Sequence, residues 1–162
     1  MNYKNEKIAV LEKIKKNLLE SINQAKRSIS DAQSEANYHV GAMQSRYDTF
    51  KEEAQYLATA QKIRLIELEN SFAQCEIIIK KILSESFVFK KVELGALFTV
   101  SSSDGAKSYF IVPTSTGEVE KLCGLDVFCI NMSAPVIKKY IGLVEGDEPE
   151  DSEKEEYIES IF

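Results

Sequence analysis

Few side chains in this chain have the type and spacing for chemistry. Histidine occurs once, at His39, and no set of partner residues surrounds it in sequence to make it a general base. Cys75, Cys123 and Cys129 are odd in number, lie in apolar surroundings and lack CxxC spacing. That pattern suggests neither a disulfide framework nor a zinc site, and it reads as reduced core thiols of a cytoplasmic protein. Carboxylates remain. Asp48 is followed at four and five residues by Glu52 and Glu53, about one helical turn on, and carboxylate oxygens are the hard donors that Mg²⁺ takes. The plainer role for Asp48 is an acid at a helix N-cap or first turn, where it favours the dipole.

The elements that would carry these residues divide the chain of 162 residues near position 90. Residues 1–94 hold one glycine, Gly41, and no proline, whereas residues 95–162 hold the other six glycines and all three prolines. Charge divides at the same place: the first part balances at +2 and the second at −8, giving the net −6. No basic cluster suggests direct nucleic-acid binding, so a protein partner or a metal is the better expectation. The longest apolar runs, such as Ile77-Ile78-Ile79, are far below spanning length, and neither a membrane helix nor a cleavable signal is expected.

Ile8, Leu11, Leu18, Ile22, Ala25, Ile29, Ala32 and Ala36 recur at gaps of three and four, with Lys15 in one slot. This is a coiled-coil seam that tapers from large aliphatics to alanines. A second stripe runs through Tyr47, Phe50, Ala54, Leu57, Gln61, Leu65, Leu68, Phe72, Cys75, Ile79 and Ile82, and its two fours about Gln61 read as a stutter. Such narrow stripes need a partner. Antiparallel pairing of Ile8 with Ile82 puts the turn near residue 45, beside Gly41, in a monomer. From Val92 to Val100 the period changes to two, and the turn-rich Ser101 to Gly105 leads to a second strand, Tyr109 to Val112. Val119 to Leu122 and Asp126 to Ile130 complete an antiparallel sheet, Pro135 to Gly142 reads as a short helix, and Tyr157 to Phe162 suit a terminal edge strand after an acidic, mobile loop.

Pro135-Val136-Ile137-Lys138-Lys139-Tyr140-Ile141-Gly142-Leu143-Val144-Glu145-Gly146-Asp147 resembles, without a gap, the "SP(I/L)ARALIGKxxGD" segment of the GreA/GreB family of bacterial transcription elongation factors, with Ala134 where the family has serine. Val92 to Val100 is similar to that family's "VxxGxxVxL" strand and Glu155 to Phe162 to its closing "REYEIxxI" strand. The resemblance implies an α+β fold: a long N-terminal antiparallel coiled-coil hairpin over residues 1–86, then an FKBP-like antiparallel sheet with one short helix over 87–162. It implies a factor that binds bacterial RNA polymerase through its C-terminal domain and inserts the coiled-coil tip into the secondary channel, modulating elongation or rescue of backtracked complexes. Such a factor is not itself an enzyme. It has no cofactor of its own and shares a Mg²⁺ with the polymerase active site.

In the family a "GDxxEN" motif at the tip supplies two acids. Matching it to Gln44-Ser45-Arg46-Tyr47-Asp48-Thr49 makes Asp48 the second acid, a metal ligand, and leaves Ser45 at the first; Glu52 can substitute if the tip is remodelled. Matching "GDLxENAEYH" to Asp31 through His39 instead aligns Asp31, puts Ser34 at the second acid and leaves Glu35 one place off. Either register lacks one acid, which implies poor cleavage stimulation and leaves an impaired, Gre-like inhibitor or regulator as the alternative. The resemblance places partner contacts at Arg46 and Tyr47 on the tip and at Ser133, Lys138 and Lys139 on the globular part. Two other classes remain open. One is a coiled-coil adaptor, and the other is a prolyl isomerase, against which the few aromatics of the second half, Phe98, Tyr109, Phe110, Phe128 and Tyr140, argue.

Overall fold

The computed structural model describes residues 3–38, 44–84, 87–150 and 155–162, with side chains throughout except at 35–38, 44–51 and 54. The elements are α1 (Tyr3–Tyr38), α2 (Gln44–Leu83), β1 (Leu97–Ser102), β2 (Gly105–Val112), β3 (Val119–Leu122), β4 (Leu125–Asn131), α3 (Pro135–Lys138) and β5 (Tyr157–Ile161). They form two compact units: Lys16–Ala73, and Met1–Lys15 with Gln74–Phe162. The fold class is therefore α+β, two long helices followed by a five-stranded sheet with a short helix.

Within the helical unit, Leu18, Ile22, Ala25 and Ala32 of α1 and Ala58 of α2 are buried. An alanine loses nearly all its accessible surface only when a neighbour comes close, so the alanine end of the seam packs tightly. Lys26 pairs with Glu69 at 3.1 Å. In the other unit Lys15 meets Glu76 at 3.6 Å and the Lys4 ammonium donates to the Leu83 carbonyl at 3.2 Å. From Lys4–Leu83 through Lys15–Glu76 to Lys26–Glu69, rising α1 numbers meet falling α2 numbers, so the helices pair antiparallel. Among the α2 seam residues with described side chains, one differs from expectation. Leu57 is 53% exposed and Ala58 is buried in its place. Ala58, Gln61, Leu65, Leu68, Phe72, Cys75, Ile79 and Ile82 then alternate threes and fours without a stutter, because hydrophobicity favoured the larger of two adjacent residues and packing favoured the smaller.

The globular unit has three layers. β1 pairs antiparallel with β2 and β5, and β3 with β4. β2 and β4 run parallel, so the order β3-β4-β2-β1-β5 is a mixed sheet and not the expected antiparallel one. The reason lies after Val112. The chain passes through a loop and lays β3 down first as the outer strand, so the hairpin brings β4 back alongside β2 in β2's own direction. The hairpin turn, Cys123-Gly124, has φ of 50° and 84°, the twist that two-residue β-turns require. Cys123 lacks glycine's freedom there, and its amide donates to the Glu6 carboxylate of α1.

β1 begins at Leu97, five residues later than the alternation from Val92 predicts. Val92 bonds instead to the segment after α3, donating to the Leu143 carbonyl and accepting from the Gly142 amide, both at 2.8 Å. Gly95 then turns the chain at φ 93° beneath α2. A β-carbon there would stand 2.7 Å from Ile78 Cγ2 and 3.1 Å from Phe89 Cζ. On the same side of the sheet Thr99 and Ser108, directly opposed and buried, share a 3.0 Å hydroxyl contact. Lys7 of α1, 2% exposed, donates to the Phe162 carbonyl at 2.7 Å and stands 4.2 Å from the Phe89 ring centroid.

Two measurements check this packing. Gly95→Ala combines left-handed strain with overpacking and is expected to cost about 2–4 kcal/mol in denaturant unfolding. Burial pushes the Lys7 ammonium from 10.5 down to about 7, so over that window the folded chain holds fewer protons than the unfolded one. Stability is expected to rise with pH from about 7 towards 10.5. Lys7→Met is expected to flatten that rise; an unchanged slope would remove Lys7 as its source.

Candidate functional site

The segment from Asn131 to Asp147 builds a polar surface on the sheet face opposite α1. Asn131, the last residue of β4, donates through Nδ2 to the Pro113 carbonyl. Its Oδ1 accepts from both the amide and the hydroxyl of Ser133 at 2.7 Å. The Ala134 amide closes the turn on the Asn131 carbonyl at 3.0 Å. Pro135 then occupies the first helical turn, where its fixed φ is preorganised and its missing N–H costs nothing. α3 is only four residues long, shorter than the run to Ile141 suggested, and continues as turns to Gly142 at φ 86°. Ile137 anchors it as a fully buried side chain.

This anchoring leaves the next residues with different environments. Tyr140 is buried against Phe98 and Tyr109, at ring centroid distances of 5.7 and 6.2 Å, and Tyr109 meets Phe128 at 5.8 Å. Its hydroxyl donates to Glu156 Oε2 at 2.8 Å, and Lys139 Nζ meets the same oxygen at 2.5 Å. Burial first, and then the bond to Glu156, raise the Tyr140 phenol well above its ordinary range; burial also raises Tyr109. Val100, Tyr109, Val136, Lys139, Tyr140 and Glu156 line a pocket of about 120 Å³, small beside the roughly 300–1,000 Å³ of small-molecule sites. The aromatics counted singly in the sequence are thus brought together in part. Phe98, Tyr109, Phe128 and Tyr140 form one ring cluster, while Phe110 lies on the other sheet face near Lys7.

The expected contact residues on this surface stand as follows. Ser133 is exposed and held by Asn131. Lys138 is exposed and has no ion pair among the described residues. Lys139 is engaged with Glu156 and stands 4.9 Å from the Tyr140 ring centroid. Glu156 went unremarked in the sequence because it sits in an acidic run that reads as solvated tail; the tyrosine and lysine that hold it are distant in sequence. Part of that run, residues 151–154, lies outside the described residues.

The tip candidates lie on the helices. Asp31 is exposed on α1, with Glu35 one turn later. Ser45, Arg46, Tyr47 and Asp48 fall in the first five residues of α2, whose first turn holds no acid, so Asp48 stands just beyond it. The side chains of Glu35 and of residues 45–48 lie outside the described set, as do His39 and Gly41 altogether. Glu52 is exposed one turn beyond Asp48. Among the described residues no three of His, Cys, Asp and Glu are grouped to hold a metal, and no helix is long and apolar enough to cross a membrane. Cys75 and Cys129 are buried thiols, and burial pushes both up to about 11.

No family model matches the chain, and no curated protein matches it. Among solved structures it is similar to the GreA factor homolog 1 (Gfh1) protein of Thermus thermophilus, with 17% identity, coverage of 91% of this chain and 94% of that one, and a TM-score of 0.32. It is similar also to a structure of the transcription factor Gfh1, at 18% identity, 91% and 92% coverage and a TM-score of 0.32.

The Glu156 cluster is expected to behave as a unit. Tyr140→Phe removes a hydrogen bond to a charged acceptor and is expected to cost about 1.5–3 kcal/mol. Combined with Glu156→Gln in a double-mutant cycle, the losses should be less than additive. Strict additivity would mean the two side chains are energetically independent.

Proposed function

We propose that this chain is a Gre-like factor that binds bacterial RNA polymerase through its globular unit and brings the α1–α2 tip to the secondary channel, where it modulates elongation or the rescue of backtracked complexes. The observation that supports this best concerns the segment resembling the Gre family. Its distinctive residues hold the conformationally demanding places of one folded device. Pro135 opens α3, and Gly142 and Gly146 take φ of 86° and 90°. The Asp147 carboxylate accepts the Val144 amide at 2.9 Å. A chance match would have no reason to put its proline, its two glycines and its aspartate at those four points.

The helices supply the second support. Helices of 36 and 40 residues, paired antiparallel, place Tyr38 and Gln44 at the ends nearest their connection. Ser45, Asp48 and Glu52 follow one another along α2 at spacings of three and four, the spacing that puts residues on one helical face. Asp48 and the exposed Glu52 carry hard oxygen donors of the kind Mg²⁺ takes, and such donors fit as part of a ligand shell completed by the polymerase. Bound there, the ion would stabilise charge on phosphodiester oxygens. The chain's own part is to carry carboxylates to that point; it contributes no active site of its own. With serine at position 45 the donor set is short by one charge, so the factor occupies the channel more effectively than it stimulates cleavage.

Competition with a Gre factor for core polymerase, followed by RNA cleavage in stalled complexes, tests this. Wild-type chain is expected to compete and to stimulate cleavage weakly. Ser45→Asp should raise cleavage by roughly tenfold, and Asp48→Ala should abolish what remains without weakening binding. Absence of competition would overturn the proposal.

A further inference from the structure

α2 carries a second apolar stripe in the Lys16–Ala73 unit that its pairing with α1 leaves bare. Tyr56, Ile63 and Ile66 are 79%, 56% and 58% exposed. With Thr59, Asn70 and Ala73, all exposed, they recur at gaps of three and four. At 100° per residue Ile63 lies half a turn round the helix from the seam residue Phe72, so this face is distinct from the seam. Single exposed aliphatics are ordinary on a protein surface; three exposed large apolar side chains and an alanine in six positions at a/d spacing on one face make a short, weak coiled-coil seam.

We infer that this face of α2 pairs with the same face of a second copy of the chain, parallel and in register, in a weak and reversible dimer. Flanking charges favour that occupant. Tyr56, Ile63 and Asn70 take the a positions, which puts Lys62 at g and Glu67 at the following e. In a parallel two-stranded pair g meets the e position five residues on in the partner. Lys62 of each copy therefore faces Glu67 of the other, twice across the two-fold axis. Among the described residues neither Lys62 nor Glu67 has an ion pair within the chain, whereas Glu69, at the next g position, is taken by Lys26 of α1. Asn70 at an a position meets its own counterpart only in this register, a device that favours two strands at some expense in affinity. Residues 56–73 span about 27 Å of helix. That is too short to bury the roughly 1,600 Å² of a standard interface, so the dissociation constant is expected on the order of 100 µM. The dimer stands independently of any polymerase binding.

Sedimentation equilibrium of the full chain from about 10 µM to about 1 mM reads this directly. Wild type is expected to pass from monomer to dimer across that range. Lys62→Glu alone and Glu67→Lys alone each place like charges opposite one another and should weaken the dimer about tenfold. An equimolar mixture of the two variants restores both pairs and should return the wild-type constant, which no effect confined to one chain can do. Asn70→Leu should tighten association, with circular dichroism reporting unchanged helicity. A wild type that stays monomeric at the highest concentration, or a mixture no tighter than its components, would overturn the inference.

Discussion

The Phe162 carbonyl oxygen accepts two donors, the Leu97 amide of β1 at 3.1 Å and the buried ammonium of Lys7 at 2.7 Å. Through that one atom α1 is tied to the edge where β5 closes on β1. Burying an ammonium costs several kcal/mol unless its protons are satisfied, and here a carbonyl and the face of Phe89 receive it. Moving α1 off the sheet would rehydrate the ammonium that burial pushes down to about 7 but would break its bond to Phe162, so the contact holds only while the surrounding packing keeps α1 in place. Nearby contacts have the same dependence: Tyr3 stacks on Phe162 at 4.3 Å, Glu6 receives the Cys123 amide, and Lys13 bridges Glu118 and Glu120 of the β3 region.

The first four turns of α1 and the last turns of α2 therefore belong to the globular unit, and the sheet has helices on both faces. Gly95 shows how tight the fit is, since only a residue without a side chain lets Ile78 and Phe89 reach the backbone where the chain enters the sheet. On the proposed reading this matters for function. Carboxylates borne on long helices can be delivered to a partner's active centre only if the helix base is held fixed against the surface that docks. A floppy base would spend the binding energy on ordering it.

The seam was legible in the sequence because its period is local: once the three-four rhythm is found, antiparallel pairing follows, and the paired salt bridges obey it. Its error at Leu57 and Ala58 was a choice between adjacent residues that only packing decides. β3, β4 and β5 were legible as strands, but the direction of β4 was not, since parallel or antiparallel pairing depends on which edge the chain reaches after Val112. Lys7 carried no sequence signal at all. A lysine on an amphipathic helix reads as solvated, and its burial comes from Phe89, Phe110 and Phe162, all more than 80 residues away. The Glu156 cluster escaped for the same reason. The tip differed: its candidates came from a motif resemblance, and the side chains of Glu35 and of residues 45–48 lie outside the described residues.

On the proposed reading α2's exposed Glu52 reaches the polymerase active centre, and a photo-crosslinking amino acid at position 52 of the full chain reports whether it does. In complex with core polymerase, crosslinks are expected to polymerase segments surrounding the catalytic Mg²⁺, and to be lost when a Gre factor occupies the channel. Crosslinks confined to the outer surface, or unaffected by that competitor, would contradict the account.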